Sequence, residues 1–363
     1  MAWRSTPPSS ESSESPRSPG GGQAGLRVQY WAPAARPIFL GERLEMLRHT
    51  ADLRSIAFVL TYFVLIGVVY TVDMPWYAWV GFAGVLSLLS FFCAVITHNT
   101  VHCPVFKSRG LNSVFQVALS LTYGHPVSMF VPGHNLSHHK YTQQTKDRMR
   151  TDKMRFRWNL LNQLLFMFVV GPPIFKDNAR FVKAMKTKNP KWYRQFLVEL
   201  VVYVAFLVVL LVLDPIKFVV FVLIPHQYAA WGIMGINFVQ HDGCDGSHEF
   251  NHSRNFKGAL INWFTFNNGF HGMHHMRPGL HWSLLPEAHA KELAPHIHPN
   301  LDRTSLLKYA FEAYVWPGKR LDYEGNPLVL SAPREDDDWM PATLKKELDI
   351  YDADYVPSST AQA

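Results

Sequence analysis

Four stretches of this chain are long enough and free enough of charge to cross a lipid bilayer, and no other feature limits its possible folds as much. A spanning helix needs roughly 20 apolar residues. The runs 55–72 and 74–97 carry no charge and are separated only by the tight turn Asp73-Met74-Pro75. The run 195–213 contains one charge, Glu199, and 218–240 contains none; Asp214-Pro215-Ile216-Lys217 separates them. Two helical hairpins follow, making an all-α membrane protein. Of 35 Lys and Arg residues, only Lys217 falls in a hairpin turn. By the positive-inside rule, both termini and all large loops are expected in the cytosol, where they would form a helical cap.

Two further apolar stretches do not fit this scheme simply. Residues 159–175 are short and run into Gly171-Pro172-Pro173, so they are expected to end there and lie along the interface or re-enter. Residues 111–131 could span by length, but one crossing would separate the histidine clusters on either side of them. If those clusters share a site, this stretch is interfacial or re-entrant. Residues 1–25 are a Ser/Pro/Gly tail with no apolar core, expected to be disordered. Residues 26–330 form the membrane domain, and 331–363 an acidic tail around Glu335-Asp336-Asp337-Asp338 that is expected to be exposed.

The chemistry of the chain lies in its histidines. Of 18, nine fall into metal-ligand spacing: His98 and His102; His134, His138 and His139; His271, His274 and His275; and a lone His241, four residues after Asn237. Side chains three and four residues apart on a helix share a face, so each group is expected to aim its imidazoles at one point. His102 and His241 end the second and fourth spans, which puts them on one membrane surface. Nine imidazoles are too many for one ion and suit two. Imidazole accepts iron, zinc, copper or nickel, so the donors alone leave the metal open.

The remaining histidines are expected to be bystanders. His248 and His252 repeat the spacing but follow a Gly-rich turn. His226, beside Pro225, is expected to be a satisfied polar group near a kink. His125, His281, His289, His296 and His298 are expected to be structural or exposed. Cys93, Cys103 and Cys244 are odd in number and lack CxxC spacing, which argues against a disulfide framework or a cysteine metal site. The net charge of +7 comes from basic residues beside membrane-length runs, so it points to anionic lipid or an acidic partner and away from nucleic acid. Two runs, 140–157 and 176–194, concentrate it; either could receive an acidic redox carrier or anionic headgroups.

Over residues 55–290 the sequence resembles the membrane fatty acid desaturase family. The resemblance rests on the three histidine boxes, the Asn237/His241 pair about thirty residues before the last box, and Asn267-Asn268-Gly269-Phe270 leading into it. It implies a non-haem di-iron centre, O2 as co-substrate, and a fatty acyl chain held in a buried tunnel. It also implies iron ligation by His98, His102, His134, His138, His139, His241, His271, His274 and His275. Asn237 would act through a water or as a weak ligand. Carboxylates that orient such rings are common around metal sites, and Asp242, Asp245 and Glu249 are candidates by proximity.

The sequence has no His-Pro-Gly-Gly haem motif and no cysteine pairs. The resemblance therefore implies a separate electron donor: ferredoxin, rubredoxin or cytochrome b5. A third box that opens with His271 rather than Gln argues against the front-end type. The short HxxxH first box does not point to the acyl-CoA Δ9 subgroup. Desaturation leads; hydroxylation, triple-bond formation and oxidative decarboxylation to a terminal alkene are open on the same scaffold. A non-catalytic metal-binding membrane protein is the reading from another class. The expected membrane is a bacterial inner membrane or the endoplasmic reticulum.

Overall fold

The computed structural model describes residues 46–344. The N-terminal tail, the first part of the membrane domain and residues 345–363 of the acidic tail lie outside the described residues. Four helices among the described residues are long and apolar enough to cross a membrane: Thr50–Thr71, Trp76–Thr100, Pro190–Leu213 and Pro215–His241. At about 1.5 Å per residue each reaches the thickness of a hydrocarbon core. They pair as the two hairpins read from the sequence. Asp214 makes the second turn by accepting from the backbone N–H groups of Ile216 and Lys217, both at 2.9 Å.

The second and fourth spans pack along each other and form the centre of the bundle. The third span exposes Val201, Val208, Val209, Val212 and Leu213, as a helix facing lipid should. The fourth passes through a π-helical turn, Val219–Leu223, just before Pro225. There His226 Nε2 lies 2.9 Å from the Tyr62 hydroxyl and 3.1 Å from the Leu121 carbonyl, so the ring is satisfied at Nε2 as expected, while its buried Nδ1 has no partner among the described residues.

The two ambiguous stretches resolve differently. Arg109–Tyr123 is a 15-residue helix, too short to span, and it ends at Gly124 in the left-handed region (φ 93°). A side chain at Gly124 would collide with His226, so glycine is required there. The histidine clusters on either side consequently stay together. The other stretch does not end at Gly171-Pro172-Pro173: the helix Asn159–Lys188 runs through both prolines for 30 residues. Each proline removes one backbone N–H donor, but the helix is pinned on both sides by buried side chains. Phe166 and Val170 hold it before the prolines; Ile174, Asp177 and Phe181 hold it after.

The rest is a mostly irregular cap with one two-stranded parallel pair, Asn255–Phe256 against Asp302–Arg303. It is stapled to the first span at Asp52, which is buried. Asp52 Oδ1 accepts from Trp282 Nε1 at 2.9 Å, and Oδ2 lies 3.0 Å from His281 Nε2. The end of the fourth span is fixed by Arg254, which donates to the carbonyls of Val239 and Asp242 at 2.9 Å.

Candidate metal centre

Backbone geometry brings the boxes together. His98 rides the last turn of the second span, and His241 ends the fourth. The second box lies on a π-helical segment, Pro132–His139, the wide-turn geometry that recurs at functional sites. The third lies on the short helix His271–Met276. This helix is held from outside its own turn: Gly272 N donates to Asn255 Oδ1 at 2.8 Å, and Gly269 N to Asn262 Oδ1 at 3.0 Å. A side chain at Gly269 would run into the Phe256 carbonyl, which accounts for the glycine before the box.

All nine imidazoles converge, in two groups. One is His98, His102, His134, His139 and His274; the other is His138, His241, His271 and His275. Within each group one nitrogen per ring lies within 4.8 Å of all the others. The boxes do not map one-to-one onto the groups, contrary to the expectation that each aims at a single point. His138 and His139 are adjacent on one helix and point apart into different groups. In the third box His271 and His275, four apart, share a face, and His274 turns to the other group.

The spacing between rings fits metal coordination. Two imidazole nitrogens about 2.1 Å from a first-row ion, at right angles, stand roughly 3 Å apart. The Nε2 atoms of His98 and His274 are 2.7 Å apart, and those of His139 and His274 are 3.0 Å apart. In the other group His241 Nε2 lies 2.9 Å from His271 Nε2 and 3.1 Å from His275 Nε2. Among the buried nitrogens without a protein partner are His134 Nε2, His138 Nε2 and both nitrogens of His102, of which an ion takes at most one. A buried unsatisfied polar group costs about 1–3 kcal/mol, so so many in one place need an explanation. A cation is the partner that the bare nitrogen of a neutral ring lacks.

Electrostatics favours the neutral rings that ligation needs. Burial, reinforced by neighbouring imidazoles, pushes His134, His139, His271, His274 and His275 well below the ordinary histidine value, and His102 down to about 3. The residues therefore fit a pair of metal ions.

Some outer contacts were not legible in the spacing. The carboxylate that meets a ring of the cage is Asp147: its Oδ2 lies 3.0 Å from His138 Nδ1, and both side chains are buried. The three acids suggested by proximity do other work. Asp242 pairs with Arg320, Asp245 accepts from Ser247, and Glu249 is exposed. His241 Nδ1 lies 3.0 Å from the His252 carbonyl, and His275 Nδ1 lies 3.3 Å from Thr142 Oγ1. His252 and His248 belong to neither group; His248 Nδ1 accepts from the backbone N–H groups of Phe250 and Asn251 in a turn.

A mostly apolar cavity of 430 Å³ lies against the cage, between the helix Asn159–Lys188 and the fourth span. Its wall includes His98, His134 and His271 together with Phe130, Ile174 and Ile233. Asn237 is buried in the same wall with its Nδ2 unpartnered. Gly171 and Pro172 also line it, so the proline pair inside the long helix borders open space. His125, expected to be a bystander, is part of the wall as well.

The sequence pattern of the fatty acid desaturase family matches residues 74–304, a span that includes both histidine groups and the cavity. The chain is a membrane protein belonging to that family. No curated protein is similar enough to be matched.

Proposed function

We propose that this protein uses O2 and two externally supplied electrons to desaturate a fatty acyl chain. The balance is –CH2–CH2– + O2 + 2 e⁻ + 2 H⁺ giving –CH=CH– + 2 H2O. In this reading two irons are held by the nine imidazoles, with Asn237 acting through a water or as a weak ligand. When bound, they supply the oxidising power that an unactivated C–H bond demands and side-chain acids and bases lack. The observation that carries the reading is the cavity: 430 Å³, mostly apolar, and walled in part by His98, His134 and His271. Its size falls in the range of ligand sites, about 300–1,000 Å³.

The chain's own residues do three things here. Phe130, Ile174 and Ile233 give the acyl chain an apolar wall and keep water from the reacting carbons. Asp147 holds His138 by Nδ1 and leaves Nε2 for the metal; the His252 carbonyl does the same for His241. Burial favours the unprotonated form of His102, His134, His139, His271, His274 and His275. Electrons come from a separate carrier: a ferredoxin, a rubredoxin or a cytochrome b5. The cage faces the cytosol, a side supported by the near absence of Lys and Arg from the hairpin turns, where only Lys217 falls.

The test is lipid analysis of a host expressing the protein. The expected product is an acyl chain lighter by two hydrogens with a new double bond. An oxygenated chain, or a terminal alkene one carbon shorter, would replace desaturation with hydroxylation or decarboxylation on the same scaffold.

A further inference from the structure

The acidic stretch near the C-terminus is exposed, as expected, but where it is described it is tied down. It lies as a strap along the loop that follows the second histidine box. Asp336 accepts from Arg150 Nη2 and Lys153 Nζ, both at 2.8 Å. Asp337 accepts from Thr145 Oγ1 at 2.6 Å, and its backbone N–H donates to the Thr145 carbonyl at 3.1 Å. Arg334 donates to Asp152 Oδ2 at 2.8 Å and to the Gln143 carbonyl at 3.2 Å. The strap then ends in Trp339, which is fully buried beside Phe181 and donates through Nε1 to Asp177 at 2.8 Å. Asp177 in turn accepts from Arg148 Nε at 2.6 Å.

These contacts bracket one residue. Gln143, Thr145, Arg148, Arg150, Asp152 and Lys153 are all tied to the strap or to Asp177, and Asp147 sits among them. Asp147 itself makes no contact with the strap. Its Oδ2 meets His138 Nδ1, and its two oxygens also take the backbone N–H groups of Gln143 at 2.8 Å and Met149 at 2.7 Å. Charge-assisted contacts of this kind fix geometry more firmly than neutral ones. In the basic run 140–157 three of the seven basic residues, Arg148, Arg150 and Lys153, are thus paired with the chain's own acids.

We infer that the strap Arg334–Trp339 positions the metal centre: by clamping the Gln143–Lys153 loop it holds Asp147 against His138 and so sets the affinity of the group His138, His241, His271 and His275 for its ion. Asp336, Asp337 and Trp339 are positioning residues, acting through Asp147. The inference rests on the metal reading above.

The experiment measures iron per chain in purified full-length protein, before and after dialysis against a graded chelator. Wild type, Asp336→Ala, Asp336→Glu and Asp338→Ala are compared. Loss of an outer-shell partner weakens metal binding by about 10- to 100-fold. Asp336→Ala is therefore expected to fall to about one iron per chain at a chelator strength where wild type keeps two, and Asp336→Glu to recover most of the loss. Asp338 lies on the same strap but pairs with Arg180, which reaches the clamp only at one remove through Asp177 at 3.2 Å, so Asp338→Ala should lose clearly less iron than Asp336→Ala. Equal iron retention in Asp336→Ala and wild type would overturn the inference, as would equal losses in Asp336→Ala and Asp338→Ala. If Asp336→Ala fails to accumulate, Thr145→Val, which removes one donor to Asp337, is judged by the same outcomes. A wild type without two irons would sink the metal reading itself, a result distinguishable from failure of the strap alone.

Discussion

The two histidine groups hold similar rings in different surroundings. The group His98, His102, His134, His139 and His274 meets no carboxylate among the described residues, and two of its rings, His98 and His134, face the apolar cavity. The group His138, His241, His271 and His275 is braced from behind by Asp147, the His252 carbonyl and Thr142. Beyond Thr142 lies a second cavity of 370 Å³, more polar than the first, that also touches Gln143, Asp152 and Asp245. His271 of the second group also reaches the apolar cavity, so both positions border the dry side, and the second is set apart by what orients its ligands. The proposed reaction would use this difference, bringing a water-free acyl chain to a centre fed with electrons and protons.

Deleting a ring from either group should have the largest effect and test whether the two act as one unit. His138→Ala and His274→Ala are each expected to abolish turnover while membrane insertion and helical content, followed by extraction behaviour and circular dichroism, stay as in wild type. If His138→Ala kept turnover while His274→Ala lost it, the braced group would be dispensable and the comparison would break.

A change confined to the dry side should be smaller and more selective. Gly171 lines the cavity, and a Cβ there meets nothing within 4 Å. Gly171→Leu should put side-chain volume into the cavity and lower turnover of long acyl chains by roughly tenfold relative to shorter ones, without changing iron content. Product profiles from hosts fed chains of different length would check this. An unchanged preference would remove the cavity from substrate selection.

The smallest expected effect is on the stability of metal-free protein. His102 is pushed down to about 3, and His134, His139, His271, His274 and His275 lie well below the usual value of 6.5. Below pH 6.5 the unfolded chain takes up protons that the folded chain refuses, so acid favours unfolding. The stability these rings confer is complete above pH 6.5 and is lost as the pH falls toward 3. Thermal unfolding of metal-free protein should therefore drop steadily between pH 7 and pH 5. A flat profile would mean that the rings are hydrated and accessible in the metal-free state.

Much of this was legible in the sequence because the signals are local. Uncharged runs gave the four spans and both hairpin turns. The box spacing marked the nine rings that converge, and a shared site for the clusters, once assumed, argued against a crossing by the stretch after residue 111. The misses come from interactions over long separations or from backbone detail. Asp147 lies eight residues past His139 on an irregular loop, where no helical spacing points back to a ring. The sharing of boxes between two groups depends on a π-helical turn and on adjacent side chains pointing apart. Pro172 and Pro173 sit inside a helix only because distant packing holds both sides of it. His125 faces the cavity through a turn whose conformation hinges on Gly124 meeting His226. The strap joins residues between 158 and 192 positions apart, and a run of acids carries no address.

The central claim is a pair of ions in the histidine cage, and metal analysis of the purified protein tests it most directly. Inductively coupled plasma mass spectrometry against protein concentration should give close to two irons per chain and negligible zinc. One zinc per chain with no iron would contradict the account.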